Sequence, residues 1–173
     1  MFKRILVPID GSETSSRGLD EALRLALLTG AAVKLVHVLD ELASPWSADS
    51  SGAYRTQVMP NLKKQAEHIV EEGHLRAAQA GIDAETQLLD CDRLRTADVV
   101  LEHADAWKAD LIVLGTHGRR GARRLFLGSD AEQIARGAAV PVLLVRGPEP
   151  DDRVAVRTAV RGAVGGDFRV AST

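Results

Sequence analysis

Four short apolar runs, Ile5 to Ile9, Val33 to Leu39, Leu111 to Leu114 and Val142 to Val145, recur along the chain with long helix-periodic stretches between them. They are rich in β-branched residues and read as strands buried on both faces. Strands that alternate with helices argue for βαβ units and a parallel sheet covered on each side. After the first strand, Leu19, Leu23, Ala26 and Leu27 fall on one side of a helix that ends near Gly30. After the second, Leu62, Ala66, Ile69, Val70, Gly73 and Ala77 make a longer stripe, with Pro60 in the first turn and Gly81 just past the end. Ala97, Val100, Leu101, Ala104 and Trp107 make the third. Ile82 to Leu89 alternates apolar with polar residues, as a half-exposed edge strand does, and Pro141 suits the last run to the other edge.

The segment after the fourth strand carries the chemistry. Gly115, Gly118, Gly128 and Ser129 are spaced G-x2-G-x9-G-S, between a strand and the start of a helix. Glycine permits close backbone approach and the first helical turn has free N–H groups, so the spacing reads as a nucleotide-phosphate cradle. It is neither a Walker loop nor a G-x-G-x-x-G dinucleotide fingerprint. Ser129 also has a purely structural reading, since with Glu132 it forms S-x-x-E, the capping-box signature. Arg119, Arg120, Arg123 and Arg124 crowd the same stretch as counter-charges or solvated loop residues, and His117 is a minor candidate ligand. Asp10 ends the first strand, where a carboxylate either takes ribose hydroxyls or magnesium, or shapes an Asp-Gly turn with Ser12 as the helix cap.

At these residues the chain resembles the universal stress protein family, whose ATP-binding members carry G-x2-G-x9-G-[S/T] at this place. The segments KRILVPIDGSET, VKLVHVLDE, DLIVLGTHGRRG and VPVLLVR are similar to the family's strands and loops in the same order, covering residues 1–146. The resemblance implies a doubly wound open α/β sheet of five parallel strands, order 3-2-1-4-5, with helices on both faces. It further implies ATP with magnesium as ligand, held by Pro8, Ile9, Asp10, Val38, Gly115, Gly118, Gly128 and Ser129, with the backbone of Pro8, Ile9 and Val38 framing the adenine. Dimeric members use the fifth strand, which here implies a homodimer through Val142, Leu143, Leu144 and Val145. Cys91 and Asp92 stand where members often have a glycine turn.

Charge and composition narrow the remaining function classes. Twenty-two basic against 24 acidic residues give a formal charge of -2, so bulk electrostatics offers no case for nucleic acid or an anionic membrane. Any anion site is local. No apolar run approaches the roughly 18 residues of a membrane span, and the N-terminus lacks a signal-peptide pattern, so a cytoplasmic location is expected. Cys91 is the sole cysteine, which excludes an intramolecular disulfide. Asp90 and Asp92 flank it and oppose a thiolate.

No catalytic constellation stands out. His68, Glu71, Glu72 and His74 share a helix without H-E-x-x-H spacing and read as a charged solvent face. The expected role is an ATP-binding, nucleotide-responsive regulatory or protective module in stress response, with a protein partner that the residues do not name. Two rivals are a slow ATPase or nucleotidyl-transfer enzyme on the same cradle, and a structural interaction subunit that binds no nucleotide. Ser44 to Gly52 reads as a polar loop beside the cradle. Residues 147–173 fall outside the resemblance and read as a C-terminal extension. Periodicity leaves it open between a strand and a helix.

Overall fold

The computed structural model describes residues 1–40, 58–91, 94–116 and 127–146. Expectations for Gly118, His117, the four loop arginines, the Ser44 to Gly52 loop and residues 147–173 lie outside the described residues.

The elements run β1 (Arg4–Pro8), α1 (Glu13–Thr29), β2 (Ala32–Leu39), α2 (Met59–Gln79), β3 (Glu85–Asp90), α3 (Thr96–Ala106), β4 (Leu111–Gly115), α4 (Ser129–Gly137) and β5 (Val142–Val145). All strand pairs are parallel, in the order β3-β2-β1-β4-β5. The expected fold is therefore the one present. Strand order reverses between β1 and β4, and this makes a switch point at their carboxyl ends.

Alternation along each strand builds two cores. Ile5, Val7, Val33, Leu35, Leu111 and Val113 face α1 and α2 together with Leu19, Leu23, Ala26, Ile69 and Ala77. Leu6, Val36, Ile112 and Leu114 face the other way, against Ala97, Val100, Ala104, Ala131 and Ile134 of α3 and α4. A sheet buried on both faces explains why the central strands β1 and β4 are apolar without a polar side.

The helix stripes hold with one exception. Leu27, expected among the buried residues of α1, is 61% exposed. The buried set is Ser15, Gly18, Leu19, Ala22, Leu23 and Ala26. Leu27 follows Leu23 by four residues, but each such step turns about 40° further round the helix and carries it off the face that meets the sheet. The third strand also begins later than its alternation suggests, at Glu85. Gly81, at φ 78, lets the N–H of Ile82 turn back to the Ala77 carbonyl at 3.0 Å, so the chain is still capping α2 where pairing was expected. β3 is an edge strand as expected, since it pairs with β2 alone. β5 is the opposite edge, pairs with β4 alone and has all four residues half-buried.

Candidate functional site

β1 loses both of its neighbours at its carboxyl end. Against β4, paired residues run only through Ile5↔Leu111 and Leu6↔Ile112. The next rung needs an N–H on residue 8, and Pro8 has none. Against β2 the last rung is the Ile9 N–H to the Val36 carbonyl at 2.8 Å. The crevice thus opens where a proline ends one ladder and the other ends one residue later.

A ring of hydrogen bonds fixes the turn that leaves β1. The Asp10 Oδ1 accepts the Ser12 N–H at 2.9 Å, the Ser12 Oγ accepts the Ser15 N–H at 3.2 Å, and the Ser15 Oγ accepts the Asp10 N–H at 3.1 Å. Gly11, at φ 77, takes the left-handed corner between them. Asp10 therefore shapes its turn, and Ser12 caps α1, as the structural reading of these residues expects. The carboxylate is held in place beside the crevice by the same bonds.

Gly115 is required by packing. A Cβ there would lie 2.6 Å from the Thr14 carbonyl carbon, 2.7 Å from its oxygen and 2.8 Å from the Ser15 nitrogen, all backbone atoms of the first turn of α1. Gly18 faces the same contact, with its Cβ position 3.2 Å from the Gly115 nitrogen. This glycine pair brings the start of α1 against the end of β4. Gly18 went unnoticed in the sequence because it reads as a neutral gap in a helix.

The start of α4 is tied to the same place. The Gly128 N–H donates to the Thr116 carbonyl at 2.8 Å, directly after β4. Gly128 is the N-cap at φ -58, and Ser129 is the first helical residue and exposed. The expected capping box with Ser129 as cap is thereby corrected. Glu132 donates its N–H to the Gly128 carbonyl at 2.9 Å, and its carboxylate pairs with Arg136 at 2.7 Å. The chain reverses one residue earlier than S-x-x-E suggests, because the glycine is locked to Thr116. Three N–H groups in the first turn of α4, on Ser129, Asp130 and Ala131, are left without a helical acceptor.

Pro8, Ile9, Asp10, Val38 and Gly115 thus stand at the carboxyl ends of three adjacent strands, with Gly128 and Ser129 anchored beside them. Two buried polar residues at this end escaped sequence reasoning. Thr116 supplies the carbonyl that anchors α4. His37 is 7% exposed, and its Nδ1 lies 2.7 Å from the Ile9 carbonyl. The only signal for it was a second polar side chain, after Lys34, inside the apolar run VKLVHVL. Cys91 is buried, with its Sγ donating to the Leu94 carbonyl, as fits a structural thiol. Among the described residues no three His, Cys, Asp or Glu side chains gather to hold a metal ion, and no helix is long and apolar enough to cross a membrane.

Residues 1–146 match the model of the universal stress protein family. The chain belongs to the universal stress protein family. It is 30% identical to a universal stress protein of Methanocaldococcus jannaschii over 87% of this chain and 86% of that one. The fold also matches the solved universal stress protein of Lactobacillus plantarum, with a TM-score of 0.70, 22% identity, and coverage of 84% of this chain and 98% of that one. A second solved universal stress protein, in complex with cAMP, is 27% identical with a TM-score of 0.59, covering 83% of this chain and 97% of that one.

Proposed function

We propose that this universal stress protein binds ATP, with magnesium carried on the phosphates, across the carboxyl ends of β1 and β4. The observation that carries the reading is the opening of both β1 ladders at the switch point, opposite the start of α4. The backbone of Pro8, Ile9 and Val38 would frame the adenine, and Asp10 would meet the ribose. The Ser129, Asp130 and Ala131 amides would serve as phosphate donors, with Gly118 and Gly128 allowing close approach and Gly115 seating the start of α1 against the end of β4. The 27% identical relative with cAMP bound supports an adenine nucleotide as the ligand class.

Binding would act by shifting the population of conformations that a partner reads, in the cytoplasm and under stress. The Asp10 Oδ1 accepts the Ser12 N–H as part of its turn, and the sequence places no nucleophile beside a base. Turnover is therefore expected to be absent or below about one event per minute, against roughly 1–10³ per second for ordinary enzymes. Assembly would be a homodimer through Val142, Leu143, Leu144 and Val145.

Calorimetric titration of nucleotide-free protein should give a micromolar or tighter Kd for ATP, weaker binding of GTP, and no binding in a folded Gly128→Val variant. At φ -58 that glycine is not needed for its backbone angle, so the variant is read only where urea denaturation shows it folded, since valine is a poorer N-cap than glycine. No ATP binding up to millimolar concentration would reject the proposal.

A further inference from the structure

Parallel pairing predicts one more hydrogen bond between β1 and β2 than the structure contains. The register Pro8↔Val36 continues as Ile9 opposite His37. In a parallel ladder a residue donates to one partner residue and accepts from the residue two further on. Ile9 donates to the Val36 carbonyl at 2.8 Å, so its own carbonyl should accept the Val38 N–H. Among the described residues that backbone bond is not formed. The Ile9 carbonyl meets the His37 Nδ1 instead, at 2.7 Å. A carbonyl only accepts, so Nδ1 carries the proton and donates.

The direction of the Val38 N–H follows from the strand. Val36 faces β1 through its backbone, His37 faces β3, where it stands opposite Leu88, and Val38 faces β1 again. β1 has already turned away at Asp10, so the Val38 N–H is directed into the crevice. Val38 itself is only partly buried there. The buried ring thus holds the carbonyl that a continued ladder would pair with this donor.

We infer that His37 is a positioning residue, which occupies the Ile9 carbonyl and so keeps the Val38 N–H open as a hydrogen-bond donor to the edge of a purine base. The base half of this statement rests on the nucleotide reading above; the displaced rung does not. His37 touches no ligand in this scheme. It determines which backbone group the ligand meets.

Amide hydrogen exchange on the nucleotide-free protein tests the displaced rung by itself. In the wild type the Val38 amide should exchange at least tenfold faster than those of Val36 and His37. Exchange as slow as theirs overturns the inference without any variant. His37→Phe keeps a ring and loses the donor, and His37→Asn replaces the Nδ1–H with an amide N–H. In folded His37→Phe the rung should form, so that Val38 exchange slows at least tenfold. ATP affinity should then fall at least tenfold, with inorganic tripolyphosphate affinity unchanged within twofold. His37→Asn should restore wild-type exchange and ATP affinity within threefold. A folded Phe variant with unchanged Val38 exchange rejects the role of His37, as does equal loss of ATP and tripolyphosphate binding. Wild-type protein that binds no ATP rejects the nucleotide reading and the base half with it, and the exchange result then judges the rung alone.

Discussion

Ser12 and Ser129 stand at the starts of two helices, yet only the Ser12 hydroxyl accepts a first-turn N–H, from Ser15 at 3.2 Å. Ser12→Ala should therefore cost about 0.5–2 kcal/mol of stability, the usual loss for an N-cap. Ser129→Ala, at an exposed first helical position, should stay within about 0.5 kcal/mol and act on nucleotide affinity alone. Urea denaturation of both variants checks this, and equal losses would restore Ser129 as a cap.

His103 on α3 raises a different residue-scale question, because its Nε2 is buried without a hydrogen-bond partner among the described residues. Burial holds its pKa below the ordinary value of 6.5, Lys34 of β2 adds to that, and Glu85 of β3 opposes it. A base whose pKa is lowered by folding takes up its proton first in the unfolded chain. Its contribution is thus whole above about pH 6.5 and is lost as pH falls below that value. Denaturation midpoints measured from about pH 7.5 down to 5 should fall less steeply in His103→Gln than in the wild type. Parallel curves would show that His103 does not carry this slope.

Among the elements, the docking of α1 on β4 is the least forgiving. Gly115 meets only backbone atoms at 2.6 to 2.8 Å, and backbone cannot move aside without shifting the helix. Gly115→Ala should cost about 1–3 kcal/mol as an overpacked contact. It should also weaken nucleotide binding, because the displaced turn holds Asp10. Gly73 in α2 offers the contrast. Its Cβ position lies 2.8 Å from the Ile9 Cδ1 and 3.1 Å from the Leu35 Cδ1, both ends of flexible side chains. A helical glycine also forgoes about 1 kcal/mol relative to alanine, which offsets the crowding. Gly73→Ala should therefore remain within about 1 kcal/mol of the wild type. A larger loss at Gly73 than at Gly115 would mean that the α1 contact is loose.

At the scale of the molecule, the two sheet edges differ in chemistry. β3 exposes Glu85, Thr86 and Gln87, a polar edge that water covers. β5 is VLLV, apolar on both faces, with one row of backbone groups unpaired in a single subunit. A two-fold copy of the same strand would cover both the backbone and the side chains. Light scattering should accordingly report a dimer for the full chain and for a truncation ending at Arg146. The alternating valines after Arg153 offer a cover within one subunit. A full-length monomer that dimerises on truncation would assign the edge to them.

The sequence by itself determined the layered α/β class and the two edge strands. Those features depend on local chemistry: apolar period, a proline at the start of the last strand, a helix stop at Gly30 or Gly81. The resemblance supplied the strand order and the motif. What only the tertiary structure decided involves residues far apart in the chain. Gly18 and Gly115 look like separate gaps until α1 crosses β4. Leu27 looks buried until the helix rotation is set by the residues that actually meet the sheet. Ser129 looks like a cap until the Thr116 carbonyl holds Gly128 one residue earlier. His37 looks like a stray polar residue until it reaches the carbonyl of Ile9. Periodicity reports which face of an element is apolar, whereas the alignment of one element against another depends on contacts that no local window contains.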